Sequence, residues 1–202
     1  MEKLDSNYWN DRYINQQTIW DLGEISSPIK TYIDQLKNKD LSILIPGAGN
    51  AYEALYLLDK GFSNVTGIDF AVLPLQNLKL KLKDIEKAHY HLINDDFFNH
   101  RGTYDLILEQ TFFCAINPKL RLDYVNHCHQ LLNNNGKIAG LLFNKNFGSE
   151  GPPFGGNEIE YRELFKNKFE IKIMEVAYNS ITPRQGSELF VIFCSDNPRV
   201  IL

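Results

Sequence analysis

The stretch Leu41-Ser42-Ile43-Leu44-Ile45-Pro46-Gly47-Ala48-Gly49-Asn50 decides how this chain folds. Leu41 to Ile45 is apolar on both faces, as a strand buried inside a parallel sheet must be. Pro46-Gly47-Ala48-Gly49 then turns the backbone, and Tyr52 to Lys60 reads as a helix that Gly61 stops. Asn64 to Phe70 supplies the next strand. Strand, glycine turn, helix and strand in that order make a βαβ unit, which demands further strands beside it and helices to cover both sheet faces.

The rest of the chain supplies them. A Leu/Lys-rich helix from Leu73 to Glu86 leads to a strand at Tyr90 to Ile93, ending in Asp95-Asp96, and Tyr104 to Leu108 is the fourth strand. A helix from about Lys119 to Leu132 is expected to close at the turn Asn133-Asn134-Asn135-Gly136. Lys137 to Phe143 makes the fifth strand, and Asn144 to Asn157, rich in Gly and Pro, reads as a long loop over the strand ends. A helix at Ile159 to Lys168 and strands at Phe169 to Tyr178 and Glu188 to Cys194 complete the pattern. The expected architecture is α/β: a Rossmann-like seven-stranded sheet with helices on both faces. Residues 1 to about 40 precede the first strand and hold both tryptophans, Trp9 and Trp20, so they are expected to form an N-terminal cap within a single domain spanning 1–202.

Composition narrows the function. At 202 residues, with 44% hydrophobic and 23% charged residues, the chain has the material for one well-packed core. A formal net charge of -4 with no basic stripe argues against a nucleic-acid substrate, whose phosphates need neutralising. No apolar run approaches the ~20 residues that span a bilayer, and the polar start lacks the apolar segment of a signal peptide. A cytoplasmic, monomeric protein acting on a small molecule is expected. Cys114, Cys128 and Cys194 lack metal or redox spacing, His127 and His129 point apart on a helix, and His89 and His91 lack a third ligand, so no metal site is expected.

The strand ends carry the candidate chemistry. Gly47 and Gly49 let a ligand approach the backbone without a side chain in the way. Asp69 ends the second strand, where a carboxylate either accepts from both hydroxyls of a ribose or caps a helix. Asp96, with Phe97 flanking, is placed to accept from an adenine amino group; Asp95 is the alternative, and either residue also suits a turn cap. The dinucleotide reading fails on charge, because Glu53 would stand beside the pyrophosphate at the helix start. A sulfonium cofactor such as S-adenosyl-L-methionine has no such conflict, since it wants carboxylates, carbonyls and aromatic faces.

With these residues in view the chain resembles the thiopurine S-methyltransferase superfamily, and within it the thiol and halide methyltransferases. The resemblance rests on an ordered set: Tyr8-Trp9-Asn10-Asp11-Arg12-Tyr13, Ile19-Trp20-Asp21-Leu22-Gly23, Ile45-Pro46-Gly47-Ala48-Gly49, Gly67-Ile68-Asp69, Phe112-Phe113-Cys114-Ala115-Ile116-Asn117-Pro118 and Gly151-Pro152-Pro153-Phe154. It implies a class I methyltransferase that uses S-adenosyl-L-methionine, bound by Gly47, Asp69, Asp96 and Phe97. Trp9, Tyr13 and Trp20 would then fold over the cofactor, although Trp9 and Tyr13, one helical turn apart, also suit plain core packing. The chain departs from relatives at Gln110, where they carry an aromatic residue or arginine after the fourth strand. It departs again at Asn50 and Ala51, where close thiol methyltransferases are glycine-rich.

On the acceptor side the resemblance makes Gly151 to Phe154 a substrate loop, with Phe143, Phe147 and Phe154 forming an apolar pocket. Arg184 either attracts an anionic substrate or is a solvated loop residue, and Cys114 is pocket wall or packing. No catalytic dyad is evident. Soft nucleophiles such as thiols, hydrosulfide, halides or thiopurine-like thiolates ionise without help, so methyl transfer to them requires mainly alignment and exclusion of water. Oxygen- or nitrogen-directed methyl transfer, and cofactor binding without catalysis, are the alternatives.

Overall fold

In the computed structural model, which describes residues 3–148 and 151–195, Ile43 to Pro46 is a strand buried along its whole length (β1). Residues 1–2 and 196–202 of the expected span, and Ser149 and Glu150 of the expected loop, lie outside the described residues. The elements follow in order: helices α1 (Ser6–Ile14) and α2 (Ser27–Asp34), then β1, α3 (Tyr52–Asp59), β2 (Val65–Asp69) and α4 (Val72–Lys81). After these come β3 (Tyr90–Asn94), β4 (Tyr104–Gln110), α5 (Arg121–Leu131), β5 (Leu132–Phe143), α6 (Glu158–Phe165), β6 (Phe169–Val176) and β7 (Glu188–Ser195).

The strands form one seven-stranded sheet, as the sequence pattern predicts, and their order is β3-β2-β1-β4-β5-β7-β6. The first five are parallel to their neighbours, whereas β7 runs antiparallel between β5 and β6. Because the chain steps outward from β1 to β3 and then returns to lay β4 on the other side of β1, the connections after β1 and β4 diverge. That leaves a crevice at their carboxyl ends, the usual ligand site of such sheets.

Alternate residues of β1 and β4 feed two separate cores. Leu44 and Ile107 join Tyr124, Val125 and Cys128 of α5 and Tyr161 and Phe165 of α6 on one face. Ile43, Ile45, Leu106 and Leu108 join Ile29 and Ile33 of α2, Leu57 of α3 and Leu78 of α4 on the other. Both faces are dry, which explains why the strands read as unbroken apolar runs.

Several boundaries differ from expectation: β1 starts at Ile43, β4 runs on to Gln110 and α6 stops at Phe165. α4 stops at Lys81, short of Glu86. Asn133 to Gly136 is not a helix-closing turn: α5 runs straight into β5 at Leu132, and Asn135 takes a left-handed φ of +59° within the strand. The side chain of Asn133 donates to Asp105 Oδ1 at 2.7 Å, which holds this segment against β4 where their register shifts. β6 ends at Val176, two residues early.

At Gly140 of β5 there is no room for a side chain against β4, since a Cβ there would lie 2.1 Å from the carbonyl oxygen of Glu109. Gly140→Ala is expected to spread this pair and destabilise the protein by about 1–3 kcal/mol. A thermal melt unchanged from wild type would show that the sheet absorbs the methyl group.

Candidate active site

A cavity of about 1360 Å³ opens over the carboxyl ends of the strands. Its floor begins at the turn after β1, where Gly47 and Gly49 hold φ of +59° and +51°. A Cβ at Gly47 would lie 2.4 Å from Phe112, and one at Gly49 would lie 2.7 Å from the Tyr13 hydroxyl. Only glycine satisfies both the backbone conformation and the crowding.

Asp69, at the end of β2, fixes that turn. Its Oδ2 accepts the Gly49 N–H at 2.7 Å and its Oδ1 accepts the Ala71 N–H at 2.7 Å. One carboxylate therefore joins the β1–α3 and β2–α4 loops, and it is not the cap of α4, which is Ala71. Burial pushes its pKa up while the two amides pull it down. Each oxygen keeps a further lone pair, and the residue lines the cavity.

The N-terminal segment closes one side of the cavity. Ser6 and Asn10, one turn apart on α1, bond the Phe70 carbonyl and the Val72 N–H at 3.0 Å each. Asn50 Nδ2 donates to Asp21 at 2.5 Å, Ser26 Oγ donates to Gln110 Oε1 at 3.0 Å, and Arg184 donates to the Trp20 carbonyl at 2.9 Å. Trp20 meets Trp9 and Tyr13 edge to face, with centroids 5.5 and 5.9 Å apart. None of the α1 residues is buried, and Trp9, Tyr13 and Trp20 all line the cavity. Their spacing thus serves the cavity wall, not a core.

Most of the expected site residues come together here: Trp9, Tyr13, Trp20, Gly47, Gly49, Asp69, Asp96, Gln110, Phe143 and Arg184 all line the cavity. Asp96 faces it and also caps the following turn by accepting the Phe98 N–H, whereas Asp95 is exposed and accepts the Asp96 N–H. Two expectations are corrected. Phe97 is 3% exposed and packs in the core with its ring 4.8 Å from His127 and 5.1 Å from Phe112; the next residue, Phe98, lines the cavity in its place. Phe154 is also core, its N–H bonded to the Cys114 carbonyl, and Pro152 and Pro153 form the wall instead. Arg184 is no solvated loop residue: its side chain is 11% exposed, paired with Glu188 at 3.3 Å, and its guanidinium stands over the Phe143 ring.

Charge is segregated between the strand-end loops of the cavity, while the N-terminal segment adds both signs, Lys3 and Arg12 with Asp5, Asp21 and Glu24. The lining residues that follow β1, β2 and β3 include Glu53, Asp69 and Asp96 and no lysine or arginine. Those that follow β5 and precede β7 include Lys145 and Arg184, set among Phe143, Phe147, Pro152, Pro153 and Pro183, and no carboxylate. Between them lies a neutral wall, Gln110 to Leu120. It contains Cys114, whose S–H donates to the Thr111 carbonyl at 3.1 Å and whose thiol burial pushes up to about 12, so that it stays protonated at neutral pH.

Among the residues that sequence reasoning missed are Glu53 and Arg121. Glu53 appears in the sequence only as an obstacle to pyrophosphate, yet it is a buried cavity carboxylate whose desolvation pushes its pKa to about 7. Arg121 is 5% exposed and clamps the substrate-side segment by donating to the Gly155 carbonyl at 2.7 Å and to Glu160. Nothing in local sequence distinguishes it from a surface arginine at a helix start.

Glu53 has a measurable consequence. Its folded pKa of about 7 lies above the ordinary glutamate value of 4.5, so the folded state holds a proton that the unfolded state releases. Stability from this group therefore falls as pH rises from about 4.5 to 7. Glu53→Gln has no charge to bury and should melt progressively higher than wild type as pH is raised from 5 to 8. A difference in melting temperature that is constant with pH would mean that the carboxylate ionises freely in the fold.

The comparisons with known proteins agree with this geometry. The family model for thiopurine S-methyltransferase matches residues 4–197. Among individual proteins, the probable thiol methyltransferase 2 of Arabidopsis thaliana is 27% identical over 192 residues, covering 93% of this chain and 84% of that protein. The thiopurine S-methyltransferase of Acinetobacter baylyi is 22% identical, covering 91% and 94%. The fold matches the crystal structure of the Burkholderia thailandensis 1,6-didemethyltoxoflavin-N1-methyltransferase, with a TM-score of 0.76 at 17% identity over 95% of this chain and 87% of that one. It also matches the magnesium protoporphyrin IX methyltransferase of Synechocystis, with a TM-score of 0.71 at 14% identity over 95% and 99%. A match that begins at the cap and ends beyond β7 takes in both walls of the cavity, and by it the chain belongs to the thiopurine S-methyltransferase family.

Proposed function

We propose that the cavity holds S-adenosyl-L-methionine against the β1–β3 ends and transfers its methyl group to a small sulfur nucleophile on the β5–β7 side. The single observation that carries this reading is the segregation of charge between the strand-end loops, with carboxylates after β1, β2 and β3 and cations in an apolar setting between β5 and β7. A cationic cofactor and an anionic acceptor each find the complementary half. The names of the relatives, thiol and thiopurine methyltransferases, support sulfur as the acceptor atom.

The residues present fit the cofactor. Gly47 and Gly49 keep the floor free of side chains, and Asp69 has lone pairs left to accept from two ribose hydroxyls after holding its backbone donors. Asp96 is placed to accept from the adenine amino group, with Phe98 beside it and Gln110 at the end of β4. Trp9, Tyr13 and Trp20 offer aromatic faces to a positive centre and exclude water. When bound, S-adenosyl-L-methionine supplies a methyl group made electrophilic by its sulfonium.

The chain's remaining task is to hold the acceptor. Phe143, Phe147, Pro152 and Pro153 make a surface that strips water from a soft anion at modest cost and from a hard oxyanion at a high one. Lys145 and Arg184 add positive charge, that of Arg184 tempered by Glu188. No histidine lines the cavity among the described residues, and Cys114 is held neutral. The acceptor therefore brings its own ionisation, and oxygen or nitrogen acceptors lack a positioned base. Glu53 is the cavity group that titrates near neutrality, and it stands on the cofactor side. We read the chain as a single catalytic domain, residues 3 to about 40 serving as its cap, that works as a cytoplasmic monomer on a free small molecule and not on nucleic acid.

Labelled S-adenosyl-L-methionine tested with thiols, hydrosulfide, halides, thiopurines, phenols and amines should label the sulfur nucleophiles fastest, with pH dependence following each thiol's own pKa. Phenols or amines outpacing every sulfur acceptor would contradict the reading. Asp69→Ala should weaken cofactor binding by about 2 kcal/mol, roughly thirtyfold. It should also lower the melting temperature, since the Gly49 and Ala71 amides lose their acceptor. Unchanged affinity by calorimetric titration would remove Asp69 from the cofactor site.

A further inference from the structure

Gln110 ends β4 facing the cavity, but the residue before it faces the core. Glu109 is 1% exposed and absent from the cavity wall. Its Oε1 accepts the N–H of Phe112 and of Phe113 at 2.8 Å each, and its Oε2 accepts the Tyr124 hydroxyl at 2.7 Å. All three donors are neutral. The carboxylate therefore spans Thr111, which is held at a φ of +63°, a conformation β-branched residues rarely adopt.

What this turn supports is the neutral wall between the two halves of the cavity. Phe112 presses on Gly47 at the cofactor side. On the acceptor side the Thr111 carbonyl takes the Cys114 S–H, and the Cys114 carbonyl takes the Phe154 N–H at 2.7 Å, next to Pro152 and Pro153. Gly140 closes the position from behind, where its lack of a Cβ lets β5 lie against the Glu109 backbone. Hydrogen bonds thus tie the turn held by one buried carboxylate to the acceptor-side segment, and the Phe112 ring carries the same turn to Gly47 on the cofactor side by packing.

We propose that Glu109 is a positioning residue for methyl transfer: by holding the Phe112 and Phe113 amides it fixes the turn that aligns the acceptor with the methyl group. The proposal rests on the methyl-transfer reading above. Glu109 itself does not reach the cavity and exchanges no proton with the reactants. A glutamine at this position keeps an oxygen for the two amides and an NH₂ for the tyrosine oxygen, so geometry and charge are separable here.

Glu109→Ala and Glu109→Gln, compared with wild type in three measurements, test this. With a thiol acceptor, Ala should lower kcat/KM by about tenfold to a hundredfold, the scale of a small misplacement. Its affinity for S-adenosyl-L-methionine should fall by clearly less than its kcat/KM, because the turn meets the cofactor floor only through the Phe112 ring against Gly47. Gln should restore most of the activity. By NMR hydrogen exchange, the Phe112 and Phe113 amides should lose protection in Ala and keep it in Gln. Full activity in Ala, a Gln variant as impaired as Ala, or loss of cofactor affinity in step with activity would each overturn the proposal. A wild type that methylates no acceptor would instead count against the methyl-transfer reading, and the amide exchange would still decide whether Glu109 sets the turn.

Discussion

The contact on which the rest of the site depends is Asp69 holding the amides of Gly49 and Ala71. Two loops leave neighbouring parallel strands in diverging directions, and their N–H groups need acceptors that the sheet no longer provides. A carboxylate at the end of β2 meets both needs and remains open toward the cavity. Because the Gly49 turn is pinned there, Tyr13 can approach within contact of it, and the N-terminal segment has a fixed surface to lie on. The segment is then fastened through Ser6, Asn10, Asp21, Trp20 and Ser26 to four different parts of the fold. It belongs to the cavity as much as the strand ends do.

The second constraint is electrostatic. A carboxylate buried in a cavity wall burdens the folded state, as Glu53 shows: burial, with a smaller contribution from the nearby Asp21 charge, raises its pKa. A fold that keeps such a group in a cavity wall gives up stability unless a cation arrives. The carboxylates at the β1–β3 ends, with Lys145 and Arg184 across the neutral wall, form a site whose stability and function pull in opposite directions. Binding of a positively charged ligand relieves that tension, a physical reason for charge segregation that does not depend on any relative.

The fold was legible because its decisive signals are backbone signals. Buried parallel strands need continuous apolar runs, and a left-handed turn at Gly47 and Gly49 needs glycine, so β1, the turn and β2 follow directly from the residues. Asp69 was legible for the same reason, at a strand end where geometry dictates its direction. Phe97 and Phe98 were not, because a single 3-10 turn decides which of two adjacent rings enters the core, and periodicity has no hold over so short an element. Phe154 failed similarly in a loop, where Arg121 and the Cys114 carbonyl, both distant in sequence, turn it inward. Glu109 left a signal that is readable in hindsight: an acid on the core-facing side of an otherwise apolar strand must find donors. Its donors, however, are amides of the next turn, which only the folded chain brings around.

Both tryptophans of the chain, Trp9 and Trp20, lie in the N-terminal segment and line the cavity, so intrinsic fluorescence reports on the site with no added label. Titration of the full chain with S-adenosyl-L-methionine tests the central claim most directly. The account predicts a saturable change in tryptophan emission that ends at one equivalent of cofactor and is displaced by S-adenosylhomocysteine. Emission that is unaffected while calorimetry records tight binding would place the cofactor away from the aromatic segment and contradict it.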